Sequence, residues 1–236
     1  MGYRVKRAGW GKPFVLFIFI LAVCISMVSF SFKYYSVDET PSRVAHLEKS
    51  MNSIQAAIEV DKIRQYWIQR ILNIIDHYNK VMSYQHKYEI AEEIYKMSVK
   101  YDNLDIDLIC ATITHESALT WNPQVVSQAG AMGLMQIMPS TGIFLCRREG
   151  IEWSTAEEVL FNSLNNIRLG CRYLSQLINS YEIDGGLAAY NGGERRAALW
   201  IQNNRQDETI LWEETRGYIP AVLRLYKRFQ QESGNL

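Results

Sequence analysis

No glycine falls between Gly11 and Gly130 and no proline between Pro41 and Pro123, although the chain holds 14 glycines and 5 prolines in 236 residues. Over that stretch the residues that stop helices and make turns are missing, which excludes a loop-rich first half and predicts long helix. A surplus of charge is missing too. The 25 Lys+Arg balance 25 Asp+Glu, so the basic excess of a nucleic-acid-binding protein is absent. From about 84 to 229 there is no alternation of apolar and polar residues of the kind strands need. Apolar residues are not scarce: 48% are hydrophobic and 21% charged, with 14 Tyr, 6 Trp and 8 Phe, which excludes global disorder. The length suits one full domain with accessory segments.

The zero net charge is an average. Residues 1–12 carry Arg4, Lys6, Arg7 and Lys12 and no acid, so this tip is +4 and the remainder, 21 bases against 25 acids, is −4. Phe14 to Phe32 follows without a charge, and as a helix it would cover roughly 28 Å, close to the hydrocarbon thickness of a bilayer. Basic residues before it and Lys33 after it predict a transmembrane anchor over 13–32 with the tip in the cytoplasm. Two other readings stay open. A cleavable signal would exit at Ser29-Phe30-Ser31, still inside the apolar run, and a lipoprotein signal would use Cys24, preceded by Val23 rather than a small residue. All three place the bulk of the protein outside the cytoplasm.

Beyond the anchor, Val44, Leu47, Met51, Ile54 and Ile58 repeat at three-four spacing, Asp61 and Gln65 interrupt, and Ile68, Leu72 and Ile75 resume. This predicts a helical linker, stalk or hairpin over 33–84 that either dimerises or packs on the following domain, with too many polar seam positions for a sustained coiled coil. From 85 to 236 apolar residues again recur at three and four, as in Ile90, Ile94, Met97 and in Ile167, Cys171, Leu174, Leu177. One all-α domain, preceded by a transmembrane helix and a helical stalk, is the fold class predicted. Pro220 suits the first turn of its last helix.

The helix starting near Asp105 holds an anomaly. Its buried stripe, Ile109 and Ile113, continues onto Glu116, which places a carboxyl on the core side of an apolar helix. A carboxyl held there would titrate high and suit a general acid. Alternatively the helix ends at Glu116, before Trp121-Asn122-Pro123, and the side chain escapes to solvent. A zinc site of the H-E-x-x-H type is excluded by Leu119 where a second His is needed, and His46, His77 and His86 lack supporting spacing.

Glu116 keeps company that is more specific. His115-Glu116-Ser117 is followed by Gly130-Ala131-Met132-Gly133-Leu134-Met135-Gln136-Ile137-Met138-Pro139, then Ala188-Ala189-Tyr190-Asn191-Gly192-Gly193, then Glu214-Thr215-Arg216-Gly217-Tyr218-Ile219-Pro220. In that order the set resembles the family 1 lytic transglycosylases, the catalytic domain of soluble lytic transglycosylase related to goose-type lysozyme, over roughly Tyr88 to Phe229. Asn165-Asn166-Ile167-Arg168-Leu169-Gly170 matches as well.

The resemblance implies a lysozyme-like helical fold in which Glu116 is the sole catalytic acid/base. It implies that Ser117 orients substrate, that Gln136 and the turn with Met132, Gly133 and Met135 line a sugar groove, and that Tyr190 and Asn191 bind the reacting sugar while Tyr218 hydrogen-bonds Glu116. Taken singly, Met132 and Met135 also read as core filler, Tyr190-Asn191-Gly192 as a helix end and Tyr218 as an interface aromatic. No metal and no cofactor are implied. Two carboxylates are usual for glycosidases, but the aspartates after Glu116, Asp184 and Asp207, lie outside the motifs. The implied activity is therefore non-hydrolytic cleavage of peptidoglycan after N-acetylmuramic acid, giving 1,6-anhydro ends, from a single-pass protein of the bacterial inner membrane facing the periplasm. A hydrolytic muramidase and an inactive peptidoglycan-binding scaffold of an envelope or secretion machine are the alternatives. Cys110, Cys146 and Cys171 make an odd number in the domain; either Cys146 and Cys171 form a disulfide, or all three are free buried thiols.

Overall fold

Helix dominates the chain, as the missing glycines and prolines require. The computed structural model describes residues 11–234, with the side chains of 35–41, 233 and 234 outside the description. Of the basic tip expected at 1–12, residues 1–10 also lie outside it. Among the described residues the helices are α1 (Gly11–Tyr78), α2 (Tyr84–Lys100), α3 (Ile106–Glu116), α4 (Pro139–Glu149), α5 (Ala156–Leu160), α6 (Ser163–Gly192), α7 (Glu194–Gln202) and α8 (Glu213–Gly234). No strand forms among them, only isolated antiparallel bridges of Met132 with Val126 and Ile137.

The chain divides into two units, Met1–Asp61 and Lys62–Leu236. In the first, α1 runs as helix from Gly11, and Gly11–Tyr34, which contains an 18-residue window with a mean hydropathy of 2.7 and no buried residue, is long and apolar enough to cross a membrane. In the second, the remainder of α1 packs against the helices that follow. Ile68, Ile71, Leu72 and Ile75 are buried in the core with Ile90 and Ile94 of α2 and Ile109 and Ile113 of α3. Each such side chain contributes roughly 1.5–3 kcal/mol on burial. Within 62–84, grouped with the linker by its sequence pattern, the buried residues Ile68 to Ile75 thus belong to this core.

Buried charged groups tie the helices of this unit together. The buried Arg70 guanidinium pairs with Asp107 of α3 at 2.5 Å and donates to the Phe229 carbonyl of α8. The buried Glu93 carboxylate of α2 is gripped by Arg168 of α6 through Nε at 2.6 Å and Nη2 at 3.0 Å. Removing one partner of such a pair strands the other charge in the core, at a cost of roughly 3–5 kcal/mol.

One expectation is corrected and one open alternative is decided. Pro220 lies about two turns inside α8 rather than in its first turn, because the helix begins earlier, at Glu213. No disulfide joins Cys146 and Cys171: both thiols are free and buried. Met135 occupies the space beside Cys171, its Sδ 3.9 Å from the Cys171 Sγ, and burial pushes that thiol's pKa far up.

Candidate active site

Helix α3 is built to end at Glu116. Asp105 caps its start by accepting the Leu108 N–H at 2.8 Å, satisfying a donor the first turn leaves unpaired. At the far end the Ser117 N–H still donates to the Ile113 carbonyl at 2.9 Å, and then the backbone turns left-handed, with φ of 52° at Ala118, 62° at Leu119 and 49° at Trp121. Residues other than glycine rarely adopt such values, so the turn has to be held by its surroundings. Trp121 holds it. Its fully buried indole donates to Thr114 Oγ1 at 3.0 Å, and its backbone N–H donates to Ser117 Oγ at 3.0 Å. Ser117, expected to orient substrate, is fully buried within this turn.

The helix does end at Glu116, but the carboxyl does not escape to bulk water. It is half-buried, and burial raises its pKa from 4.5 to about 7; the Tyr218 hydroxyl holds back part of that rise and the charge of Glu214 adds to it. The Tyr218 hydroxyl is buried and meets no partner in good hydrogen-bond geometry, yet faces Glu116 closely enough to influence its proton. The bond between Tyr218 and Glu116 expected from sequence is not fully formed here, although the phenol still acts on the carboxyl. The His115 ring lies edge-on to Tyr218, centroids 4.9 Å apart at 85°, and burial lowers its pKa, so it is a neutral packing partner at pH 7. Tyr190 reaches the same place from α6, its pKa pushed well up by burial and then by the charge of Glu116.

One buried side chain organises the 132–136 turn. Asn166 of α6 accepts the Met135 N–H at 2.7 Å and donates to the carbonyls of Met132 and Leu160, each at 2.9 Å. Gly133 makes this approach feasible: its φ is 83°, and a Cβ there would lie 2.2 Å from Asn166 Nδ2. The Tyr190 hydroxyl donates to the Met135 carbonyl at 2.7 Å, joining the turn to the site. Gln136 is half-buried and its Nε2 donates to the carbonyls of Gly133 at 2.8 Å and Val125 at 3.1 Å, while the Met132 and Met135 side chains are buried in the core. Asn191 is fixed by the buried Thr215, whose hydroxyl donates to Asn191 Oδ1 at 2.7 Å. Gly192 lets α8 come this close, since a Cβ on it would meet Thr215 Oγ1 at 2.6 Å.

The structure therefore brings together Glu116, Tyr190 and Tyr218 and sets Gly133, Gln136 and Asn191 in the ties around them, while Ser117, Met132 and Met135 are buried. Sequence reasoning passed over Asn166, Thr215 and Glu214, although each stands in a segment that matched. The available signal for Asn166 was an uncharged polar residue on a buried face one turn before Gly170. Glu214 was overlooked because only aspartates were weighed as second carboxylates. Among the described residues no three His, Cys, Asp or Glu side chains cluster as metal ligands would.

The Transglycosylase SLT domain model matches residues 93–213, just over half of the chain. The chain belongs to this family. The match takes in Glu116, Asn166 and Tyr190 and stops just before Glu214, Thr215 and Tyr218. Among SLT-domain relatives, the soluble lytic murein transglycosylase of Salmonella typhimurium is 30% identical over 208 residues, which cover 80% of this chain and 31% of that protein. Membrane-bound lytic murein transglycosylase C of Sodalis glossinidius is 32% identical over 190 residues, covering 80% of this chain and 46% of the relative. The 70 kDa soluble lytic transglycosylase of Escherichia coli superposes with a TM-score of 0.51 at 28% identity, over 64% of this chain and 26% of that one. An inactive mutant of lytic transglycosylase Slt from Pseudomonas aeruginosa, with Gln in place of a Glu, gives 0.53 at 29% identity, over 60% and 24%. This chain spans less than half the length of each of these relatives.

Proposed function

We propose that this SLT-domain protein is a membrane-anchored peptidoglycan lytic transglycosylase with Glu116 as its acid/base. The observation that carries the reading is a half-buried carboxyl at the end of α3 with a pKa of about 7, within electrostatic reach of the buried Tyr190 and Tyr218 phenols. Near neutral pH both of its forms are populated, so it can give a proton and then take one. In its neutral form Glu116 protonates the glycosidic oxygen between N-acetylmuramic acid and N-acetylglucosamine. As that bond breaks, the N-acetyl oxygen stabilises the cationic sugar carbon. Glu116, now a carboxylate, removes the proton of the muramic 6-hydroxyl, whose oxygen closes a 1,6-anhydro ring; no water is consumed and the acid is restored. Asn191 and Tyr190 orient the reacting sugar, Tyr218 steadies the carboxyl, and Gln136 with its turn forms the groove wall.

Relatives named as lytic murein transglycosylases, one of them membrane-bound, support this substrate and an anchor at Gly11–Tyr34. In this reading the tip lies in the cytoplasm, and the catalytic unit, which takes in all of Lys62–Leu236, acts in the periplasm of a bacterial envelope. The influence of Glu214 on Glu116 favours one second reading, a hydrolytic muramidase in which Glu214 activates water. Muropeptide analysis of digested sacculi separates the two: anhydro ends are expected, and reducing N-acetylmuramic ends without anhydro products would overturn the lyase in favour of hydrolysis. A wild-type chain that clears no peptidoglycan in a zymogram would make the protein a binding scaffold instead.

A further inference from the structure

The stretch of α1 between the membrane-crossing segment and the second unit carries an exposed apolar line. We infer that residues 43–61 pair with a second copy of this chain in a short, parallel, two-stranded coiled coil. Val44, Leu47, Met51, Ile54 and Ile58 succeed one another at spacings of three, four, three and four, which sets them in one line along the helix. All five stand between 49% and 62% exposed, whereas Ile68, Ile71, Leu72 and Ile75 of the same helix are buried by the domain. An apolar line of this length kept in water is the mark of an interface.

The residues on and beside the line select the partner. With Val44, Met51 and Ile58 at the a positions and Leu47 and Ile54 at d, β-branched Val44 and Ile58 stand at two of the three a positions and Leu47 at one of the two d positions, the placement that favours two parallel strands, while Met51 and Ile54 depart from it. Arg43 then falls at g and Glu48 at the following e, so in a parallel pair the Arg43 of each copy faces the Glu48 of the other. An antiparallel pair does not form this contact. The opposite face is mostly polar, with His46, Lys49, Asn52 and Ser53, and carries Ala45, Ala56 and Val60 besides. Asp61 and Gln65 occupy the next d and a positions and end the seam where the second compact unit begins, at Lys62.

A seam of little more than two heptads holds two chains weakly in dilute solution. Anchoring in one membrane makes both copies point the same way and raises their effective concentration. That step rests on the anchor reading of Gly11–Tyr34 and on nothing in the catalytic site.

The test is cysteine crosslinking of the full chain in membranes, in a Cys24→Ala background that removes the exposed native thiol and leaves the buried Cys110, Cys146 and Cys171. Single cysteines are placed on the seam (Leu47→Cys, Met51→Cys, Ile54→Cys, Ile58→Cys) and off it (His46→Cys, Lys49→Cys, Ser53→Cys), followed by mild oxidation. Seam positions are expected to give disulfide-linked dimers at several times the yield of the others. Arg43→Glu should lower the Met51→Cys yield, and adding Glu48→Arg should restore it. Equal yields on both faces, no dimer at any position, or crosslinks to a protein of another mass would overturn the pairing. Carbonate extraction judges the anchor separately, and a chain found in the soluble fraction is put through the same crosslinking series, which still decides the coiled coil.

Discussion

Replacing Glu116 by Gln should silence the enzyme and, above neutral pH, stabilise it. Below about pH 4.5 the carboxyl is neutral in the folded and the unfolded chain alike, and its ionisation makes no difference between them. Between 4.5 and about 7 the unfolded chain has released the proton while the folded one still holds it. The folded state then binds more protons, so stability falls as pH rises across this window and levels off above it. At about 1.4 kcal/mol per pH unit the interval is worth roughly 3 kcal/mol, a ceiling, because water on the open side of the half-buried group screens part of it. Glutamine cannot ionise and escapes this loss. For a unit of this size the gain corresponds to a Tm rise of up to roughly 10 °C at pH 8, vanishing at pH 4. Thermal unfolding of the full chain in detergent, read through the fluorescence of tryptophans such as the buried Trp121, gives the difference at pH 4, 6 and 8. A Tm difference that does not change with pH, or a Gln variant less stable at pH 8, would refute the reasoning and make Glu116 an ordinary surface carboxyl.

Glu214→Gln removes a charge that raises the pKa of Glu116, so the alkaline limb of the pH–rate profile on sacculi should move to lower pH; an unmoved limb puts Glu214 outside electrostatic reach. Asn166→Leu leaves the Met135 N–H and the Met132 and Leu160 carbonyls without their partner and should cost about 2–5 kcal/mol in urea unfolding. Thr215→Val keeps the shape but loses the bond to Asn191 Oδ1, for which a roughly tenfold fall in kcat/KM is expected, with Thr215→Ser near wild type. Equal losses in both Thr215 variants would show that methyl packing, not the hydroxyl, is what Asn191 needs.

The helices were legible because burial recurs at the spacing that sequence displays: Ile90, Ile94, Ile109, Ile113, Ile167 and Leu174 all sit in the core. Glu116 was legible as an anomaly on that same stripe. The fate of its side chain was not, since helix continuation and helix arrest predict opposite surroundings, and arrest depends on Trp121 finding Thr114 and Ser117 in space. The motifs point to segments but not to the placement of each side chain within them. Met135 and Ser117 share segments with Gln136 and Glu116, yet they face the core, and a linear motif does not encode which way each side chain turns. The tie between Asn191 and Thr215 spans two motifs far apart in the chain, and no local pattern announces it.

The left-handed turn after Glu116 works as a latch with Trp121 as its catch. Three residues there are wound against their preference, each at a cost on the order of 1 kcal/mol, and the backbone would relax if the indole were released. Letting go of one side chain would then disarm the carboxyl while the isoleucine core stayed folded. The shape of the candidate site thus depends on a tryptophan that has no surface of its own.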